Sequence, residues 1–118
     1  PKRGDSPLTQ AASMSYIKQM LEAGVRVFRY NKGFIHAKTI VVDDVVSTIG
    51  TTNMDNRSFN LNFEINAFCY DAEIANGLHK QFLKDKETSE ELLLLRWHKR
   101  RRTKRVLESL ARMFAPLL

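Results

Sequence analysis

The chain has 118 residues, about enough for one small domain, and its 43% hydrophobic content excludes a disordered tail or a fibrous repeat. A single cysteine excludes an internal disulfide, no apolar run reaches the roughly 18 residues needed to span a bilayer, and no signal-peptide pattern opens the chain. The net charge of +6 is uneven: residues 1–95 hold 11 Lys+Arg and 12 Asp+Glu, whereas residues 96–118 hold 8 Lys+Arg and one acid, so the body of the chain is not basic.

The chain starts at Pro1 rather than Met, so it is expected to be a piece of a longer protein. Asp5-Ser6-Pro7 reads as a helix start, with Ser6 as the cap and Pro7 at the first helical position. Leu8, Ala11, Met14, Ile17, Met20 and Leu21 continue a helical stripe that Gly24 stops. Val25 to Tyr30 alternates as a strand, Ile35 to Val42 is a second, and Asp43-Asp44 offers a tight turn into a third, Val45 to Ile49. Gly50 to Asn62 is polar and loop-like. Phe63 to Tyr70 is a fourth strand, with Cys69 buried in it, and Asp71 caps a helix running to about Lys84.

This order predicts a mixed sheet with helices packed on it, either α/β or α+β and here taken as mixed α/β with a central mixed sheet flanked by helices, over residues 1–90, followed by a basic amphipathic helical segment at 91–118. In that segment Trp97, Lys99, Arg100, Arg101, Arg102, Lys104 and Arg105 precede an apolar stripe of Val106, Leu107, Leu110, Met113, Phe114, Leu117 and Leu118. A basic helix with an apolar face suits an anionic membrane surface, and the same stripe also suits packing on the protein's own body.

The residues that carry chemistry cluster in the middle of the chain. On a strand, His36 and Lys38 share one face about 6.6 Å apart. An imidazole beside a fixed ammonium suits an attack on phosphorus: Lys38 neutralises phosphate oxygens while His36 acts as nucleophile or acid near neutral pH. Asp43 has the opposite parity, so bracing the turn competes with a direct catalytic role. Thr51 and Asn53, in Gly50-Thr51-Thr52-Asn53, can bond phosphate oxygens, and Glu64 interrupts an apolar strand where a carboxylate needs a partner, such as a histidine to orient. His79 and His98 read as surface residues, and the three histidines and one cysteine show no metal-ligand spacing.

His36-x-Lys38-x-x-x-x-Asp43, followed by Gly50-Thr51-x-Asn53 and Glu64, resembles the HKD motif of the phospholipase D superfamily. The run from Gly50 to Glu64, with Gly33-Phe34-Ile35 before the motif and the closing Trp-plus-basic segment, is similar to the C-terminal half of bacterial cardiolipin synthases. Thr51 stands where the superfamily usually has Ser, and it keeps the hydroxyl.

The resemblance implies a phospholipase D-like half-domain that transfers a phosphatidyl group between two phosphatidylglycerol molecules, giving cardiolipin and glycerol through a phosphohistidine. It implies no metal or other cofactor. His36 would be the acid/base member, Lys38, Thr51 and Asn53 would hold phosphate, and Glu64 would orient His36. It further implies a bacterial membrane enzyme with its catalytic domain on the cytoplasmic face. One motif alone implies a partner, either the N-terminal half of the enzyme or a second copy, without which the piece is expected to be inactive. An HKD phosphodiesterase or nuclease and a non-catalytic docking fragment are the rival readings. The near-neutral body argues against a nucleic-acid partner.

Overall fold

The computed structural model describes residues 1–2, 6–100 and 102–113, without the side chains of Arg102, Lys104 and Arg105. In chain order the elements are α1 (Pro7–Glu22), β1 (Val27–Tyr30), β2 (Lys38–Val42), β3 (Val46–Gly50), α2 (Asn56–Asn60), β4 (Asn66–Cys69), α3 (Ala72–Glu87), β5 (Ser89–Leu92), α4 (Leu94–His98) and α5 (Arg102–Met113). The α/β class is as expected. The strands divide between two small antiparallel sheets, β1-β5 and β2-β3-β4, where one central mixed sheet was expected. Two compact units result, one of residues 1–34 with 89–118 and the other of residues 35–88.

In the first unit, α1 starts and stops where the local chemistry dictates. The Ser6 side chain accepts from the Thr9 amide, and Pro7 occupies the first turn. At the far end the Val25 amide donates to the Met20 carbonyl and the Gly24 amide to the Leu21 carbonyl, a reciprocal pair closed by Gly24 at φ +83°. A residue with a Cβ would be strained there. β5 pairs antiparallel with β1, from Val27 opposite Leu92 to Tyr30 opposite Ser89. Its sequence, Ser-Glu-Glu-Leu, carries almost no strand propensity. The pairing is held instead by long-range contacts, among them a two-bond fork from Arg26 to Glu91 at 2.8 and 3.1 Å, which also raises the Arg26 pKa.

α5 packs on α1, where Ala12 and Ala111 are both buried and their small side chains let the helices approach. Trp97 is also buried, at 9% exposure, with the Arg100 guanidinium 3.7 Å over its ring and Arg100 paired to Glu108. Val106, Leu107, Leu110 and Met113 nevertheless stay more than half exposed, so the predicted stripe is only partly used for packing. Phe114, Leu117 and Leu118 lie outside the described residues, as do Arg101 and Asp5. No described helix is long and apolar enough to cross a membrane.

In the second unit, β2 and β3 form a hairpin whose turn residues Asp43 and Asp44 sit at φ 51° and 55°, closed by the Val45 amide on the Val42 carbonyl at 3.1 Å. Two consecutive positive φ values match the twist of a tight hairpin, and aspartate tolerates them better than most side chains. α3 packs on β2 and β3. Its cap is Asp71, accepting from the Ile74 amide at 2.9 Å, and it runs about one turn further than expected, through Asp85 and Lys86 to Glu87. His79 on this helix is not an idle surface residue: its Nδ1 lies 2.5 Å from Asp44 Oδ1, and Asn76 donates to the Asp44 carbonyl. Both bonds tie the hairpin turn to α3.

Alternation along the three strands puts Val41, Ser47 and Cys69 on one face and Ile40, Val42 and Phe68 on the other. Ser47 is fully buried and Cys69 is half-buried, whereas Ile40, Val42 and Phe68 are about half exposed or more.

Candidate active site

β2 is shorter than expected. His36 lies in the irregular segment before it, and Lys38 is the strand's first residue. The side chains still meet, but through contact rather than through parity along a strand. Lys38 Nζ is 2.9 Å from His36 Nδ1, 2.8 Å from Nε2 and 3.0 Å from the His36 carbonyl oxygen. An ammonium donates only, so Lys38 is the donor in this contact, and the tautomer of His36 decides which ring nitrogen accepts.

The antiparallel register aligns Lys38 with Gly50 and Gly50 with Asn66, so one end of the three-stranded sheet carries the motif. Gly50 is needed there for space. A Cβ on it would overlap the Asn66 side chain and press on the Ile65 carbonyl. The close approach sets up the next residue: the Thr51 amide donates to the Ile65 carbonyl at 3.0 Å, and the Ile65 amide returns a bond to Thr51 Oγ1 at 3.0 Å.

Thr51 Oγ1 in turn donates to the Glu64 carboxylate. Glu64 is therefore held within its own loop rather than along a strand, since β4 begins only at Asn66. Ser58 Oγ donates to the other carboxylate oxygen at 2.8 Å, and Asn62 Nδ2 contributes a longer bond at 3.4 Å. Donors to a carboxylate favour its charged form. The Glu64 pKa accordingly lies below the usual carboxylate range, set first by Thr51 and then by Ser58, with smaller help from Asn62 and the Lys38 charge and with burial opposing.

Ser58 went unseen in the sequence. It sits on α2, a helix of five residues inside the segment read as loop, which Asp55 caps through the Ser58 amide at 2.8 Å. Ser58 is buried at 7% exposure and also accepts from the Asn53 amide at 3.1 Å, so one hydroxyl links the Asn53 loop to Glu64. Asp55, three residues before Ser58, was the available signal. Asn53 itself is exposed, and Thr52 accepts from Asn66.

Asp43 is placed elsewhere. It occupies the hairpin turn at the opposite end of β2 from Lys38, roughly 16 Å away along the strand by the rise per residue. Of the residues expected to meet lipid, Trp97 and Arg100 are engaged inside the first unit and Lys99 is exposed. Arg101 and the side chains of Arg102, Lys104 and Arg105 lie outside the described residues.

Residues 1–86 match the family model described as cardiolipin synthase, phospholipase D-like domain. The chain belongs to that family. Its relatives include a cardiolipin synthase 2 of Bacillus anthracis, 46% identical over all 118 residues, and a cardiolipin synthase 2 of Staphylococcus epidermidis, 42% identical over the same length. A cardiolipin synthase of Staphylococcus aureus is likewise 42% identical. The phospholipase D-like chain covers the whole of its own length in each match but only 23–24% of these relatives. No solved structure matches it significantly.

The Glu64 bracket predicts a pH response. A carboxyl whose folded pKa is depressed adds stability that is complete above its unfolded value and is lost as pH falls through the folded value. Glu64→Gln should therefore weaken the fold at neutral pH and flatten the acid limb of its stability profile, measured by denaturant titration between neutral and acidic pH. An acid limb identical to that of the wild type would remove Glu64 as its source.

Proposed function

We propose that this chain supplies one HKD motif of a phosphatidyltransferase that converts two phosphatidylglycerol molecules into cardiolipin and glycerol. The contact between Lys38 and an imidazole nitrogen of His36 is the observation that carries the reading, and the family membership and the cardiolipin synthase names of the relatives support it.

In this reading the histidine of a partner motif attacks phosphorus, forming a P–N bond as the bond from phosphorus to the glycerol oxygen breaks. His36 gives its proton to the departing glycerol. It then removes the proton of a hydroxyl on the second phosphatidylglycerol, whose oxygen displaces the histidine and restores it. Lys38 holds the phosphate oxygens throughout, with Thr51 and Asn53 at the rim of the same loop. Glu64, braced by Thr51 and Ser58, keeps that loop set and supports the orientation of His36. Asp43 serves the hairpin turn.

The partner motif comes from the N-terminal half of a longer enzyme or from a second copy. The apolar sheet face of Ile40, Val42 and Phe68, about half exposed or more, supports such an association. The site then works at a membrane surface, on the cytoplasmic face.

The test supplies phosphatidylglycerol vesicles to the intact enzyme and follows cardiolipin and glycerol together. Equimolar appearance of the two is expected. Phosphatidic acid and glycerol without cardiolipin would replace transfer by hydrolysis.

A further inference from the structure

We propose that the first unit contains a second phosphate site, built from Arg29 and Arg96 beside Trp97, that takes the head group of an anionic phospholipid. It goes beyond the phosphatidyl transfer proposed for His36 and uses none of that site's residues. A cleft of about 510 Å³ opens among α1, the β1-β5 ribbon, α4 and α5, and Arg29, Arg96, Arg100, Trp97, Leu93 and Leu107 are among its lining residues.

Charge pairing within the cleft is incomplete. Its three acids are already matched: Glu90 by Lys2 at 3.9 Å, Glu91 by Arg26 and Glu108 by Arg100. Arg29 lies opposite Glu90 in the ribbon but makes no ion pair with it, and Arg96 makes none among the described residues. The only described side-chain hydrogen bond of Arg29 runs from its Nη2 to the Lys2 carbonyl at 3.3 Å. Its Nε is buried without an acceptor, and so is Nη1 of Arg100. A buried guanidinium donor left unmade is costly, and a group with several oxygens and a negative charge satisfies two guanidinium forks at once.

Phosphate meets that requirement, and the rest of the cleft selects its source. Trp97, Leu93 and Leu107 give the cationic site an apolar wall, and α5 continues it with Val106, Leu110 and Met113 more than half exposed. A free phosphate ester has nothing to place against such a wall, whereas a phospholipid has a glycerol backbone and acyl chains.

Trp97 is the chain's only tryptophan, so its emission reports occupancy of the cleft. The experiment titrates the 118-residue chain with vesicles of phosphatidylglycerol in phosphatidylcholine, and separately with soluble glycerol phosphate. Phosphatidylglycerol vesicles should shift the emission, and R29Q/R96Q should weaken their binding roughly thirtyfold, as two basic residues at an anionic surface are expected to do. K18Q/K32Q removes the same charge elsewhere in the unit and should bind like the wild type. Because Arg96 is exposed, R96Q alone keeps the fold and carries the test if circular dichroism shows that Arg29 is needed for folding. Unchanged affinity in the arginine variants, or an equal loss in K18Q/K32Q, would overturn the site. Saturation by glycerol phosphate with no response to vesicles would overturn the lipid assignment.

Discussion

His36→Ala in the intact enzyme is expected to lower cardiolipin formation by about 10²–10⁴-fold, the range that a positioned acid–base group supplies. In the proposed sequence this one imidazole moves a proton twice, to the departing glycerol and from the incoming hydroxyl, so no second residue covers its loss. Lys38→Ala should come close to it, because the ammonium within 2.9 Å of both ring nitrogens is also the charge that meets the phosphate. His36→Ala should leave the melting temperature and the binding of phosphatidylglycerol vesicles unchanged, since the ring is exposed. The loss then falls in turnover. A variant that turns over normally would move the proton chemistry to another group. Comparable loss with a lowered melting temperature would show that His36 acts on the fold.

Gly50→Ala is expected to damage both the fold and the activity, although it adds a single methyl group. The new Cβ would overlap the Asn66 side chain and press on the Ile65 carbonyl oxygen, which belongs to backbone and cannot swing aside. Overpacking of this kind costs about 1–3 kcal/mol. The displaced segment is also the one that exchanges two hydrogen bonds with Thr51, whose hydroxyl holds Glu64. Thermal melting and the cardiolipin assay together check the expectation: a melting temperature lowered by several degrees, with activity falling further than the unfolded fraction explains. Wild-type melting in Gly50→Ala would mean that β3 and β4 can separate at this row without cost.

Much of this molecule is legible from nearest neighbours. Ser6 and Asp71 cap helices because a side-chain oxygen reaches an amide three residues on, and Gly24 ends α1 because only glycine enters its conformation freely. The hairpin turn at Asp43-Asp44 follows from the same local logic. The types and order of His36, Lys38, Thr51, Asn53 and Glu64 were enough to suggest phosphate chemistry and to carry the family resemblance that the comparisons bear out.

Other features depend on residues far apart in the chain, and no local pattern encodes them. β5 is a strand because β1, some 60 residues earlier, offers it a ladder and Arg26 offers Glu91 a fork. Lys38 and His36 touch at the point where the irregular segment before β2 becomes strand, whereas strand alternation alone would have kept them side by side. Glu64 is settled by Thr51 and Ser58, thirteen and six residues away, after a short helix that the polar composition of its segment concealed. The aromatic and basic residues of the C-terminal segment show the same division. Composition marks Trp97 and Arg100 as a pair suited to an anionic surface, but their burial against α1 and Glu108 is decided by which apolar surfaces the folded chain brings within reach. Residue chemistry and local caps are written in the order of the amino acids. Partners, burial and the completeness of each charge pair exist only once distant segments have packed.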